Sequence, residues 1–232
     1  MRIQVSYFRF LIISELYCFN LLTFKQITRI TALAIHELNL IRFQTTCRPE
    51  VSDYLTTFSY EIFWNYRFKE AGADGFVFGV LTADGRIDVE ACRRLLQSAG
   101  KCTPCTFHRA FDVLNDPLDS LESIIDLGFR RILTSGQQRT ALEGAPLIAE
   151  LERRASGRII VMAGAGIDDS NAVNIVQLTS VKEVHGSASR TRPAGSVNTV
   201  SMGSGAESAV RRFTCRTKVE NIVRSIQTNQ NN

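Results

Sequence analysis

The chain has 232 residues, 44% of them hydrophobic and 22% charged, which suits one moderate-sized globular domain and excludes a disordered or fibrous chain. Its formal net charge of +4 is small for this length and does not amount to a basic nucleic-acid-binding surface. Six cysteines (Cys18, Cys47, Cys92, Cys102, Cys105, Cys215) without disulfide-dense spacing read as reduced thiols, with the cytoplasm as the expected compartment.

From the beginning of the chain, Tyr7 to Phe24 is rich in aromatic and aliphatic residues, but Arg9, Glu15 and Asn20 interrupt it. A spanning helix needs about 20 apolar residues, and no small-residue cleavage site follows, so neither a membrane span nor a secretory leader is expected. Residues 1 to 69 are almost free of glycine and lack turn punctuation. They read as a divergent N-terminal segment, either poorly determined or built of helices and irregular pieces. From residue 70 to 232 the pattern is regular. Short apolar runs (Gly75–Val80, Thr103–His108, Arg131–Ser135, Arg158–Met162, Val181–His185) alternate with segments of helical spacing at Asp88–Ala99, Pro117–Leu127, Ala145–Arg154 and Ser170–Leu178. Asp88 is placed to cap the first helix, and Gly128 to stop the second. Strands alternating with helices of this length imply βαβ units and a parallel sheet. No dinucleotide fingerprint follows the first strand. The late basic residues (Arg190, Arg192, Arg211, Arg212, Arg216, Lys218) are spread through a Gly/Ser-rich stretch and read as solvated, so no nucleic acid is expected as partner.

Particular motifs narrow the class. Gly72-Ala-Asp-Gly-Phe-Val-Phe-Gly-Val-Leu-Thr-Ala-Asp-Gly-Arg-Ile-Asp88 and Phe107-His-Arg-Ala-Phe-Asp112 come first. Leu133-Thr-Ser-Gly136, Ala141-Leu-Glu-Gly144, Val161-Met-Ala-Gly-Ala-Gly-Ile167 and Glu183-Val-His-Gly-Ser-Ala188 follow in order. Together they resemble the CutC copper-homeostasis family, from about residue 71 to the C-terminus, where Ser201-Met-Gly203 and Lys218-Val-Glu-Asn-Ile222 still fit. Upstream, Arg48-Pro49 and Asp53-Tyr-Leu55 are faintly similar to a segment after the family's third strand. The resemblance implies a TIM-type (β/α)8 barrel, incomplete or irregular in its first three strands. It also implies a copper-homeostasis protein that binds copper, as Cu(I), through cysteines. The Glu-Val-Cys and Ile-Glu-Leu-Cys motifs of the family's first two strands are absent here, so their cysteines have no counterpart. A mispredicted exon or a truncated paralogue would account for the unlike beginning.

In such barrels, functional groups sit where strands end and βα loops begin. His108, Arg109 and Asp112 fall at the end of the fifth barrel strand, where His108 could exchange protons near neutral pH. The plain alternative is an Arg–Asp pair holding the loop above a core histidine. Gly164, Ala165 and Gly166 follow the seventh strand, and Gly186 and Ser187 the eighth, positions where backbone N–H groups often hold an anion. There the glycines are equally able to serve as turn formers alone. Alternation sets Glu183, His185 and Ser187 on one face; if that face is the interior, His185 joins His108 at one mouth. Thr134 and Ser135 end the sixth strand and read as hydrogen-bonding groups lining the pocket.

Cys102 and Cys105 form a Cys-x-x-Cys pair whose sulfurs suit Cu(I). They enter the fifth strand at the end opposite the mouth, however, and a free cysteine is often a small buried apolar residue. Two functions therefore compete: copper homeostasis with copper binding, and an enzyme acting on a small anionic, phosphate-bearing substrate with His108, Asp112 and His185 in acid–base roles. The partner is a copper ion or a small anionic ligand, with no membrane, and the chain is compatible with a homo-oligomer. A third outcome is an incomplete barrel that exposes strand edges and aggregates.

Overall fold

Local chemistry sets several of the helix ends. Asp88 accepts the Ala91 N–H at 2.9 Å and starts α1 (Val89–Ala99). Asp116 accepts from Leu118 and Asp119 at the head of α2 (Pro117–Leu127), where Pro117 occupies a first-turn position that needs no donor. Gly128, at φ +93°, closes α2 in the left-handed conformation. Helices α3 (Ala145–Ala155) and α4 (Ala172–Thr179) end on Ser156 and Ser180, also left-handed. The structure, a computed structural model, describes residues 2–5, 10–12, 68–69, 73–193 and 210–230. Arg48, Pro49, Asp53–Leu55, Cys18, Cys47 and the Ser201–Gly203 turn lie outside them.

The strands are β1 (Arg2–Val5), β2 (Phe10–Ile12), β3 (Gly75–Phe78), β4 (Cys105–Phe107), β5 (Arg131–Thr134), β6 (Ile160–Gly164) and β7 (Glu183–Gly186). They form one seven-stranded sheet in the order β1-β7-β6-β5-β4-β3-β2, every pair parallel. From β3 to β6 a helix follows each strand, as the sequence pattern requires. Where a complete barrel has three strands before β3, this chain adds one short strand at each edge, and among the described residues β1 and β2 do not pair with each other. Among the described residues, the segment 1 to 69 thus supplies two short strands, which the expectation of helices and irregular pieces did not include. The edges of β3 and β7 offer backbone donors and acceptors that short segments can meet without any periodic signal.

Register divides the sheet into two faces. Phe76 lies beside Cys105, Phe107 beside Ile132, and Ala163 beside Val184. These residues face the helices and join Leu121, Ile148, Leu151 and Ile175 in the main apolar core. Each fully buried Leu, Ile or Phe there contributes roughly 1.5–3 kcal/mol. The inner face carries Val77, Thr106, Arg131, Leu133, Met162 and Glu183, all buried. Arg131 and Glu183 meet on this side across β6 in a two-pronged ion pair of 2.9 and 3.1 Å. Beyond β7 the chain forms a separate antiparallel ribbon of β8 (Ser189–Pro193) and β9 (Val210–Thr214). Helix α5 (Arg216–Gln230) then buries Ile222 and Ile226 and packs on α4.

Candidate functional site at the C-terminal mouth of the sheet

The loop after β4 organises the mouth. His108 continues the ladder by donating its N–H to the Phe78 carbonyl at 3.2 Å, and its buried ring caps the 3-10 turn Arg109–Val113 by accepting the Ala110 N–H on Nδ1 at 3.3 Å. An accepting Nδ1 leaves the proton of the neutral ring on Nε2. Arg109 donates from Nε to Asp112 at 2.6 Å and from Nη2 to Ser135 Oγ at 2.9 Å, while its side chain remains 43% exposed.

Asp112 joins this turn to the loop after β5. It accepts from Thr134 Oγ1 at 2.5 Å, from the Ser135 N–H at 2.9 Å and from the Gln137 N–H at 3.4 Å. Ser135 Oγ lies 3.0 Å from Asp112 Oδ2 and 2.5 Å from the Gln138 carbonyl, and its single proton serves one of the two at a time. Thr134 Oγ1 also accepts the Gly136 N–H at 2.9 Å. Thr134 and Ser135 are thus fully buried ties that hold the loop. Arg109 and Asp112 thereby tie the loops after β4 and β5 together.

Two further contacts fix the same loop. Gln137 Nε2 donates to the Leu114 carbonyl at 2.6 Å, and the Ala141 N–H to the Ala165 carbonyl at 3.0 Å, which links the loops after β5 and β6. In the loop after β6, Ala165 and Gly166 are both left-handed, at φ +84° and +68°. Gly186 is needed for close approach, since a Cβ there would lie 2.8 Å from the Ile167 carbonyl oxygen, whereas one on Gly164 would meet the end of the Leu133 side chain at 2.6 Å. Gly186 therefore has a packing role whether or not an anion binds nearby. Ser187 Oγ bonds to Ser189 Oγ at 3.1 Å, which begins the ribbon. His185 lies beside Gly164 in register, on the inner face that also carries His108, so the structure sets both histidines on one side of the sheet.

The Arg131–Glu183 pair was not singled out by sequence reasoning. The available signal was a charged residue opening each of two strand runs, Arg-Ile-Leu-Thr and Glu-Val-His-Gly.

Comparison with known proteins places this geometry in a family. The CutC family model matches residues 62–190, more than half the chain. The chain belongs to the CutC family. A CutC family protein of Glaesserella parasuis is 38% identical over 195 residues, covering 82% of this chain and 80% of its own length. The human copper homeostasis protein cutC homolog is 50% identical over 127 residues, covering 55% of this chain and 46% of its own length. A CutC family protein of Histophilus somni is 45% identical over 148 residues, covering 63% of this chain and 60% of its own length. The chain thus spans about half of the human relative and three-fifths of the Histophilus one. The crystal structure of a CutC protein from Streptococcus agalactiae superposes with a TM-score of 0.55 at 29% identity, over 70% of this chain and 80% of that one.

Copper is the ion in the names of the human and mouse relatives, and cysteine sulfur is the ligand that would suit Cu(I). Cys102 is exposed, whereas Cys105 is buried on the outer face of β4, with its Sγ 3.6 Å from the Thr103 carbonyl. Burial pushes the Cys105 thiol up to about 12, so almost no thiolate forms near neutral pH. As folded, this pair does not offer two thiolates to one Cu(I). Among the described residues no group of three or more His, Cys, Asp or Glu side chains is arranged to hold a metal. No helix among them is long and apolar enough to cross a membrane.

Proposed function

We propose that this chain serves in copper homeostasis, with a copper ion as its cargo. The supporting observation is the CutC match over residues 62–190, which takes in every strand from β3 to β7, together with relatives named as copper homeostasis proteins. Cys102 and Cys105 remain the candidate Cu(I) ligands in this reading, and binding then requires the Cys105 sulfur to leave the core. The free thiols Cys92, Cys102, Cys105 and Cys215 suit a reducing, cytoplasmic setting. A Cu(I) titration of reduced protein against a competing chelator, with circular dichroism on the same sample, tests it. Stoichiometric binding that is lost in Cys102→Ser and Cys105→Ser is expected. A folded protein that takes up no Cu(I) removes copper as the cargo.

A second reading is a small phosphate-bearing ligand at the mouth. It is favoured by Arg109, whose half-exposed guanidinium is held in place by Asp112 and Ser135 beside His108. Arg109 would take the anion, the Gly164–Gly166 and Gly186–Ser187 loops would supply N–H donors, and His108 and His185 would exchange protons with it. Titration with inorganic phosphate should then shift the NMR signals of these loops, and Arg109→Met should abolish the shift. Unmoved signals would sink this reading.

A further inference from the structure

The cap on the turn after β4 is an imidazole, and that choice makes the turn sensitive to acid. The side chains most suited to head a helical turn are Asn, Asp, Ser and Thr, none of which ordinarily changes charge between about pH 5 and about 8. His108 holds the position here, accepting the Ala110 N–H on Nδ1. Only the neutral ring can do so, because an imidazolium carries a proton on both nitrogens and accepts on neither. Acid therefore replaces the acceptor with a donor that points at a second donor. The contact contributes in full at the alkaline end of the imidazole range and is lost as the pH falls through it.

The surroundings leave the ring little room to swing away. A Cβ on Gly79 would lie 2.9 Å from His108 Nδ1, so that nitrogen lies against the backbone at the end of β3. The Phe107 ring stands edge-on to the imidazole at 6.1 Å, and His108 is buried. With the ring held, the turn is the part that gives. It carries Arg109 and Asp112, and through Asp112 it is bonded to Thr134 and Ser135 after β5. Among the described side chains, the charged or titratable groups on the elements around the ring are few. They are Arg109 and Asp112 on its own turn, Arg131 and Glu183 paired across the inner face, and His185 on β7. The inner faces of β3 and β6 bring none. Both carboxylates are already bonded to an arginine.

We propose that His108 is an acid-sensitive catch: protonation of its ring breaks the Ala110 cap and loosens the Arg109–Asp112 turn, so that Arg109 loses its fixed place at the mouth. The catch requires neither the copper nor the phosphate reading.

The test is NMR of the full chain between about pH 8 and about pH 5. The sequence has 3 histidines, His36, His108 and His185, so each ring titration can be followed separately. The Ala110 amide should shift with the midpoint of the His108 ring. Its protection from exchange, corrected for the intrinsic effect of pH, should fall about 5-fold or more across that midpoint. The Arg109 Nε–H signal should broaden over the same range. His108→Asn supplies a capping oxygen that does not titrate and should hold the Ala110 protection constant across the range. His185→Asn should leave the Ala110 midpoint where it is, which keeps the test decisive if the His108 variant does not fold. The proposal is overturned by a His108 ring that stays neutral down to about pH 5, or by Ala110 protection that does not change across the ring's midpoint. An Ala110 midpoint retained in His108→Asn or lost in His185→Asn overturns it equally.

Discussion

On the outer face of the sheet, Phe76, Phe107, Ile132 and Val161 pack against helices with no polar atom to satisfy; on the inner face, Arg131, Glu183 and His108 are also buried and carry hydrogen bonds or charge. The two faces are therefore stabilised in different ways. The outer face draws its energy from area and volume, which tolerate swaps of equal size. The inner face depends on partners: Arg131 and Glu183 suit the interior together, and either alone is an uncompensated buried charge.

The largest effect should come from separating that pair. Glu183→Ala is expected to cost about 3–5 kcal/mol in urea unfolding, while Arg131→Met with Glu183→Leu should recover most of it. If Glu183→Ala costs no more than a surface change, the inner face is wet and the contrast fails. On the outer side, Leu151→Ala should cost about 2–5 kcal/mol and Leu151→Met less than about 1.5. Asp112→Asn weakens the clamp between the loops after β4 and β5 and should cost roughly 1–3 kcal/mol, with the largest rise in amide exchange at Ser135 and Gln137. Asp88→Ala, which removes only the cap of α1, should cost about 1 kcal/mol.

The thiols sharpen the same contrast without a substitution. Cys105 on the outer face has its pKa raised by burial from 9.0 to about 12. Cys215, at the head of α5, is lowered chiefly by the Lys218 N–H. Iodoacetamide near neutral pH should therefore label Cys215 before Cys105, as read by mass spectrometry. Since the fold binds the Cys105 proton more tightly than the unfolded chain does, its contribution is complete below about pH 9 and is lost as pH rises towards about 12. Cys105→Ala should flatten that alkaline loss.

Much of this was legible in the residues. Asp88, Asp116 and Gly128 fix helix ends by local chemistry, so the α1 and α2 boundaries follow directly from spacing. The Arg109–Asp112 pair is three positions apart and also readable. The clamp's other half is not, because Thr134 and Ser135 lie more than twenty residues from Asp112 and only the fold brings them near. Strands β1 and β2 were missed for a related reason: three or four residues carry too little pattern to announce pairing with a distant edge. The arginines of β8 and β9 read as scattered because a long Gly/Ser-rich connection hides their register.

The pairing of β1 with β7 has a consequence for how the chain is made. Arg2 stands beside Glu183, so β1 waits during synthesis for a partner made 181 positions after it. At ordinary synthesis rates that wait is roughly 10–35 s, far longer than a helix or a local loop takes to form. During it, residues 75–164 can assemble β3 to β6 with their helices, while β1 has no edge to join. Chaperones that hold exposed strand edges would then meet this protein chiefly through β1, and a slower ribosome near residue 183 would prolong their hold.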